Sequence, residues 1–278
     1  SDELKDDLLL RTNGGEGMDL ILSARHSMVG LIDRQWVLPL DANSLPNRHN
    51  LMTRFETDRN KVKDYAIPYM WGTMGIAWRK DKLTKPLTTW KEFFNPAPEL
   101  KGHIMTMNDS KDAIGMALKA AGYSANDTNQ EALAKAQALL KTQKPSVLKY
   151  GYPALDKTSE MLGDEVWVAM LYNGDAITLK NLNNNIEYKV PREGGNIWVD
   201  YLAVLSKSKH PKEALAFLNY LCDPTVAAKN AEALNFAPAN ETAESKLPID
   251  FLKNRLIYPL NAELANTEIY TDLTPEEQ

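Results

Sequence analysis

Tyr65-Ala66-Ile67-Pro68-Tyr69-Met70-Trp71-Gly72-Thr73-Met74-Gly75-Ile76-Ala77-Trp78 is dense in aromatic and β-forming residues. Such side chains suit a pleated, buried surface, while glycine and proline interrupt it. The run reads as two strands broken near Gly72 to Gly75. Upstream, Met18-Asp19-Leu20-Ile21-Leu22 follows a glycine turn and has the pattern of a buried parallel strand. A helix over about residues 25–34 then completes a βα unit. An amphipathic helix is expected over 2–12, ended by Asn13-Gly14-Gly15, and a polar loop over 38–64.

Downstream the same alternation continues. A short helix opens around Thr88 to Trp90, and a strand covers 103–107. Asn108-Asp109-Ser110-Lys111-Asp112 starts a helix that Gly122 ends. Helices are expected over 128–142 and 153–162, then a strand over 166–171 leading through Tyr172-Asn173-Gly174-Asp175 into a helix. Strands follow over 186–190 and 197–206, and helices over Pro211–Leu221 and Pro224–Leu234. The last forty residues are polar, with short helical pieces. Alternating strands and helices predict an α/β fold with mainly parallel sheets.

The chain has 278 residues, 44% hydrophobic and 25% charged, which suits two lobes of ordinary size. A net charge of −5 speaks against a nucleic-acid partner, which needs a basic face, and fits a cationic ligand. The single cysteine, Cys222, excludes an intrachain disulfide. It lies in an apolar helical pattern and reads as a small buried hydrophobe. No run of 18 apolar residues is present to span a membrane. The opening Ser1-Asp2-Glu3-Leu4-Lys5-Asp6-Asp7 is charged, so an exported protein has either lost its signal peptide or carries it upstream of Ser1.

None of the four histidines, His26, His49, His103 and His210, has a partner at metal-ligand spacing. The nucleophile elbow, the phosphate loop and the dinucleotide fingerprint are all missing from the sequence. These absences speak against a hydrolase, an NTPase or a dinucleotide enzyme and leave an enzyme with a scattered site open; no metal or cofactor is expected.

What remains is carboxylates beside aromatics. Trp198 and Asp200 stand two apart on an expected strand and so share a face. Tyr172 and Asp109 fall at the carboxyl ends of expected strands, where open α/β sheets bind ligands. Asp109 and Asp112 read equally as a helix cap with an acidic first turn, and Trp198 reads equally as core. The combination suits a polyamine. Its methylenes need aromatic walls, and its ammonium groups need π faces and carboxylates with no basic residue nearby.

At these residues the sequence resembles the spermidine/putrescine-binding proteins of polyamine ABC transporters. The segments that carry the likeness are Tyr65–Thr73, Gly115–Ser124, Met170–Ala176 and Pro191–Asp200. Pro191-Arg192-Glu193-Gly194-Gly195-Asn196-Ile197-Trp198-Val199-Asp200 is the most specific of them. The resemblance implies a type II-like periplasmic-binding-protein fold: two α/β lobes joined by crossing hinge strands, with a central cleft that closes on its ligand. It implies one lobe from residues 1–75 and 200–240 and a second from 76–199 and 241–278. It also implies a periplasmic, monomeric protein that passes its ligand to a membrane permease, or a sensor that docks on a membrane receptor.

By the same resemblance Trp198 flanks the ligand chain and Asp200 holds an ammonium. Asp109 and Asp112 hold a terminal amine. Tyr172 stands where the family often has Trp, Phe236 where it often has Tyr, and Tyr270 matches a polar residue near the family's end. Ser23-Ala24-Arg25-His26 departs from the family's Pro-Ser-x-Tyr, so His26 replaces an aromatic hydroxyl. Arg25 places a cation nearby and is the only pointer toward an anion binder. An enzyme on this fold, such as a transferase of the porphobilinogen deaminase kind, needs a cofactor-bearing cysteine, and Cys222 sits on an expected packed helix. The opening strand, aromatic loop and helix of the family have no match, nor does its closing helix.

Overall fold

A computed structural model describes residues 12–56 and 59–271. Its first strand and helix are β1 (Leu20–Ala24) and α1 (Arg25–Asp33). The stretch after α1 runs through short 3-10 turns, in keeping with its prolines and asparagines. The helix expected over 2–12 lies outside the described residues.

The run from Tyr65 to Trp78 forms one strand, not two: β2 spans Ala66–Arg79 and is buried almost throughout. Its glycines do not break it. They let other chain segments approach, because a Cβ at Gly72 would lie 2.5 Å from the Trp198 ring, and one at Gly75 would strike the Lys189 carbonyl. What changes near Gly72 is the partner. Ala66 to Thr73 pairs with β7 (Ile197–Val204), whereas Met74 to Trp78 pairs with β5 (Val168–Tyr172). One strand therefore serves two sheets.

β1 extends the first sheet beyond β7, and β8 (Ala237–Pro238) adds to β2. In the second sheet β6 (Ile186–Lys189) pairs with β2, while β3 (Ile104–Thr106) and β4 (Val147–Tyr150) lie beyond β5. The expectation of mainly parallel sheets is corrected. Only β3–β4 and β3–β5 are parallel among these pairs, because every partner of β2 runs against it. β4 had no clear sequence signal, being exposed along most of its length. The helix expected over 153–162 is a series of turns.

Helices cover both faces of each sheet. α2 (Trp90–Phe94), α3 (Ser110–Ala120) and α4 (Gln130–Gln143) bury Trp90, Phe93, Phe94 and Met116 against Met74, Ile76 and Ile104 of the second sheet. Thr89 and Glu92 form a capping box that fixes where α2 begins. α5 (Asn173–Leu182) covers the opposite face through Ala176 and Leu179. α1 packs on the first sheet through Met28 and Leu31. α6 (Pro211–Leu221) packs on its other face through Ala214 and Leu218, with Cys222 wholly buried beside them.

The expected lobe boundary at 240/241 does not follow the packing. Ala243 and Leu247 join Met70 and α7 (Pro224–Leu234), and Ile257, after α8 (Ile249–Lys253), joins Trp71. The second sheet is reached by Leu256, which packs beside Ala176 and Leu171, and after α9 (Asn261–Leu264) by Tyr270. Compositional reading had no handle on this return, because the segment is polar and irregular.

Gly72→Ala is expected to lower stability by about 1–3 kcal/mol, the cost of forcing atoms into a packed interior. Thermal denaturation of the purified protein checks this, since an unchanged melting temperature would show that the crossing tolerates a side chain.

Candidate functional site

The register of β2 assembles one wall of a cavity. Met70, Gly72 and Met74 stand at alternate positions opposite Asp200, Trp198 and Tyr172. Side chains two apart share a face, so residues far apart in sequence meet on one surface. Trp198 and Tyr172 lie edge to face at 5.6 Å between ring centres. Phe236, just after α7, meets Trp198 in the same manner at 4.8 Å and 88°. Gly174 at the start of α5 gives Phe236 room, since a Cβ there would lie 2.4 Å from its ring.

A second wall comes from helix N-termini. Asp109 caps α3 by accepting from the Asp112 N–H at 3.1 Å. Asp112, one turn in, is 4% exposed and accepts the Tyr172 hydroxyl proton at 3.0 Å. That donor and the positive end of α3 compensate part of the cost of a buried carboxylate. Burial, with the Asp112 charge beside it, pushes the Tyr172 hydroxyl well above its ordinary pKa, which keeps it a donor. Asp175 sits in the first turn of α5 and accepts from Tyr152 Oη at 2.5 Å. Burial raises its carboxyl above the usual range, while the Tyr152 hydrogen bond opposes that shift. Tyr152 Oη in turn accepts the Tyr172 N–H at 3.1 Å, tying the two walls together.

The third wall is a strap from the end of the described chain. Ile197 N–H donates to the Glu268 carbonyl at 2.8 Å, and Glu268 N–H to the Gly195 carbonyl at 3.0 Å. The Glu268 carboxylate accepts from Lys119 Nζ at 2.6 Å and from Ser124. Asn126 binds the strap's backbone on both sides of Tyr270. So held, Tyr270 packs on Gly115, where a Cβ would lie 2.8 Å from the hydroxyl. Its ring meets His26 of α1 edge-on at 6.1 Å. His26 thus touches an element of the opposite lobe.

These walls border an open cavity of about 340 Å³. Trp198, Asp200, Asp109, Asp112, Tyr172, Phe236, His26 and Tyr270, the eight residues singled out in the sequence, all line it. Asp175 and Lys111 line it too and were not singled out. Asp175 stands three residues after Tyr172 and its position in the first helical turn was a usable signal. Lys111 corrects the expectation of a cleft without further cations beside Arg25, which also lines the cavity. Among the described residues no group of His, Cys, Asp or Glu is placed to hold a metal ion, and no helix is long and apolar enough to cross a membrane.

Two α/β lobes that share a strand and border an acidic, aromatic cavity have the architecture of the two-lobed periplasmic binding proteins. The chain belongs to the bacterial extracellular solute-binding protein family, whose profile matches residues 1–254. It is 28% identical over 268 residues to the spermidine/putrescine-binding periplasmic protein of Escherichia coli, covering 95% of this chain and 75% of that one. It is 32% identical over 236 residues to the norspermidine sensor of Vibrio cholerae, covering 84% of this chain and 65% of the sensor. Among solved structures, a Listeria monocytogenes protein described as a spermidine/putrescine ABC transporter superposes with a TM-score of 0.87 at 29% identity. That match covers 98% of this chain and 84% of the other.

Asp109 has a capping duty that can be separated from any charge it offers the cavity. Asp109→Ala should cost about 1 kcal/mol of stability, and Asp109→Asn only a few tenths, because Asn caps nearly as well. Denaturant unfolding of the two variants measures this, and equal losses would remove the cap from the account.

Proposed function

We propose that this protein captures a polyamine in the cavity and presents it to the membrane permease of an ABC transporter, from the periplasm and as a monomer. In this reading Asp200, Asp109, Asp112 and Asp175 accept from ammonium groups, and Trp198, Phe236, Tyr172 and Tyr270 cover the methylenes. The observation that carries it is the meeting of four aspartates with four aromatic side chains around one cleft. A flexible cation gains from such a site in two ways: charge-assisted hydrogen bonds at its ends and flat π surfaces along its length. The named relatives add support, since several are described by a polyamine ligand.

A second reading keeps the ligand and changes the partner to a membrane signalling receptor. The 32% identity to the norspermidine sensor favours it. Amine uptake by cells lacking the protein separates the two, because a sensor leaves transport intact while altering the response to amine.

Titration calorimetry against putrescine, spermidine and norspermidine tests the shared core of both readings. Asp200→Asn preserves shape and removes charge, so affinity should fall by about 2–5 kcal/mol, the range for truncating one partner of a buried charged pair. Trp198→Leu should cost about 1–2 kcal/mol of affinity through the lost π face, with little change in stability. The reverse result, early melting with normal binding, would make Trp198 a packing residue only.

The raised Asp175 carboxyl gives a pH dependence. An ammonium beside it favours the ionised form, so binding expels a proton wherever the free protein holds one. Affinity should therefore weaken as pH falls through the range in which the raised Asp175 carboxyl takes up its proton, and proton release should accompany binding there. Calorimetry in buffers of different ionisation enthalpy measures that release, and Asp175→Asn should abolish its Asp175 share.

A further inference from the structure

Two of the protein's own cations stand in the cavity. Lys111 lies in the first turn of α3, between Asp109 and Asp112, and lines the space with them. Its Nζ donates to the Thr271 carbonyl at 2.7 Å and sits 5.5 Å from the centre of the Tyr270 ring. An aromatic face next to carboxylates is the surrounding an amine end of a ligand would seek, and a protein ammonium already has it.

That ammonium is held in place. Its carbonyl partner belongs to the strap, which Lys119, Ser124 and Asn126 fasten to the second lobe. The ring below it is confined by Gly115 on one side and His26 on another. A ligand ammonium brought to the same place meets a fixed like charge, which opposes binding strongly in a partly desolvated site. Arg25 stands on another side, next to Ala24, whose register partner is Asp200.

Resting on the reading that the cavity binds a polyamine, we propose that it is built for an α,ω-diamine such as putrescine rather than a triamine. Lys111 sets this choice by standing where a third ammonium would go. The role is one of specificity: Lys111 excludes the longer amine by holding a fixed charge beside Asp109 and Asp112.

The experiment is calorimetric titration of the purified chain with putrescine and with spermidine, for wild type, Lys111→Gln, Lys111→Met and Lys111→Arg. Melting temperatures are recorded on the same samples. Wild type should prefer putrescine. The two neutral variants should shift the spermidine-to-putrescine affinity ratio toward spermidine by about tenfold or more. Lys111→Arg, which keeps the charge, should hold the wild-type preference. A wild type that prefers spermidine overturns the proposal, as does an unchanged ratio in both neutral variants. Equal weakening of both amines together with early melting in all three variants would reduce Lys111 to an anchor for the strap, and also overturns it. Binding of neither amine by the wild type is a different outcome, which overturns the polyamine reading itself and this proposal with it.

Discussion

The ring of Trp198 lies over a residue with no side chain. Gly72 gives β2 a bare position where the strand leaves one sheet for the other, and a Cβ there would meet both the Trp198 ring and the Asn173 side chain. Around that bare position the chain gathers three segments. Asn173 Oδ1 accepts the Thr73 N–H at 3.0 Å and its amide donates to the Leu256 carbonyl at 2.9 Å. Tyr188 Oη donates to the Thr73 carbonyl at 3.0 Å. These polar groups are mostly buried, so leaving any of them unmatched would be costly, and together they fix how the two sheets meet. The cavity inherits its geometry from this junction, because Trp198 and Tyr172 are opposite Gly72 and Met74 on the same face of one strand.

The carboxylates are kept usable by neutral donors. Asp112 and Asp175 each accept from a tyrosine hydroxyl, and Asp109 from a backbone N–H. Neutral donors stabilise a carboxylate without cancelling its charge, so the field inside the cavity stays negative. The tyrosines give up little in return, since burial holds their own ionisation far from neutral pH. Two cations, Arg25 on α1 and Lys111 on α3, line the same cavity.

Much of this was legible in the residues. Asp109 announced itself as a cap because it precedes a helical pattern and follows a strand, and the structure gives it that bond. Trp198 and Asp200 were readable as one face because strand periodicity is two. Pro211 and Pro224 marked two helix starts without error, since proline at the first turn sacrifices no hydrogen bond. The continuity of β2 was not readable. Glycine twice within four residues signals a break on local grounds, and only the rings and carbonyls arriving from elsewhere explain its presence. The direction of strand pairing was hidden for a related reason: alternating elements imply parallel neighbours, but a strand shared between sheets imposes its own antiparallel partners. The seat of Lys111 depends on Thr271 and Tyr270, 160 and 159 positions along the chain, beyond the reach of any local pattern.

The strap has a consequence for how the molecule opens. Both hydrophobic cores draw nearly all of their residues from positions before 260, with Tyr270 the late exception. Sequence distance does not set the strap apart, because the first sheet closes over a longer one where Leu20 pairs with Val204. What sets it apart is how it is held: polar bonds from Lys119, Ser124 and Asn126 carry most of it, and Tyr270 alone reaches a packed core. Segments with few buried apolar contacts open at lower free energy than the cores they rest on. The side of the cavity that Tyr270 forms is thus expected to exchange its amide hydrogens before either sheet does.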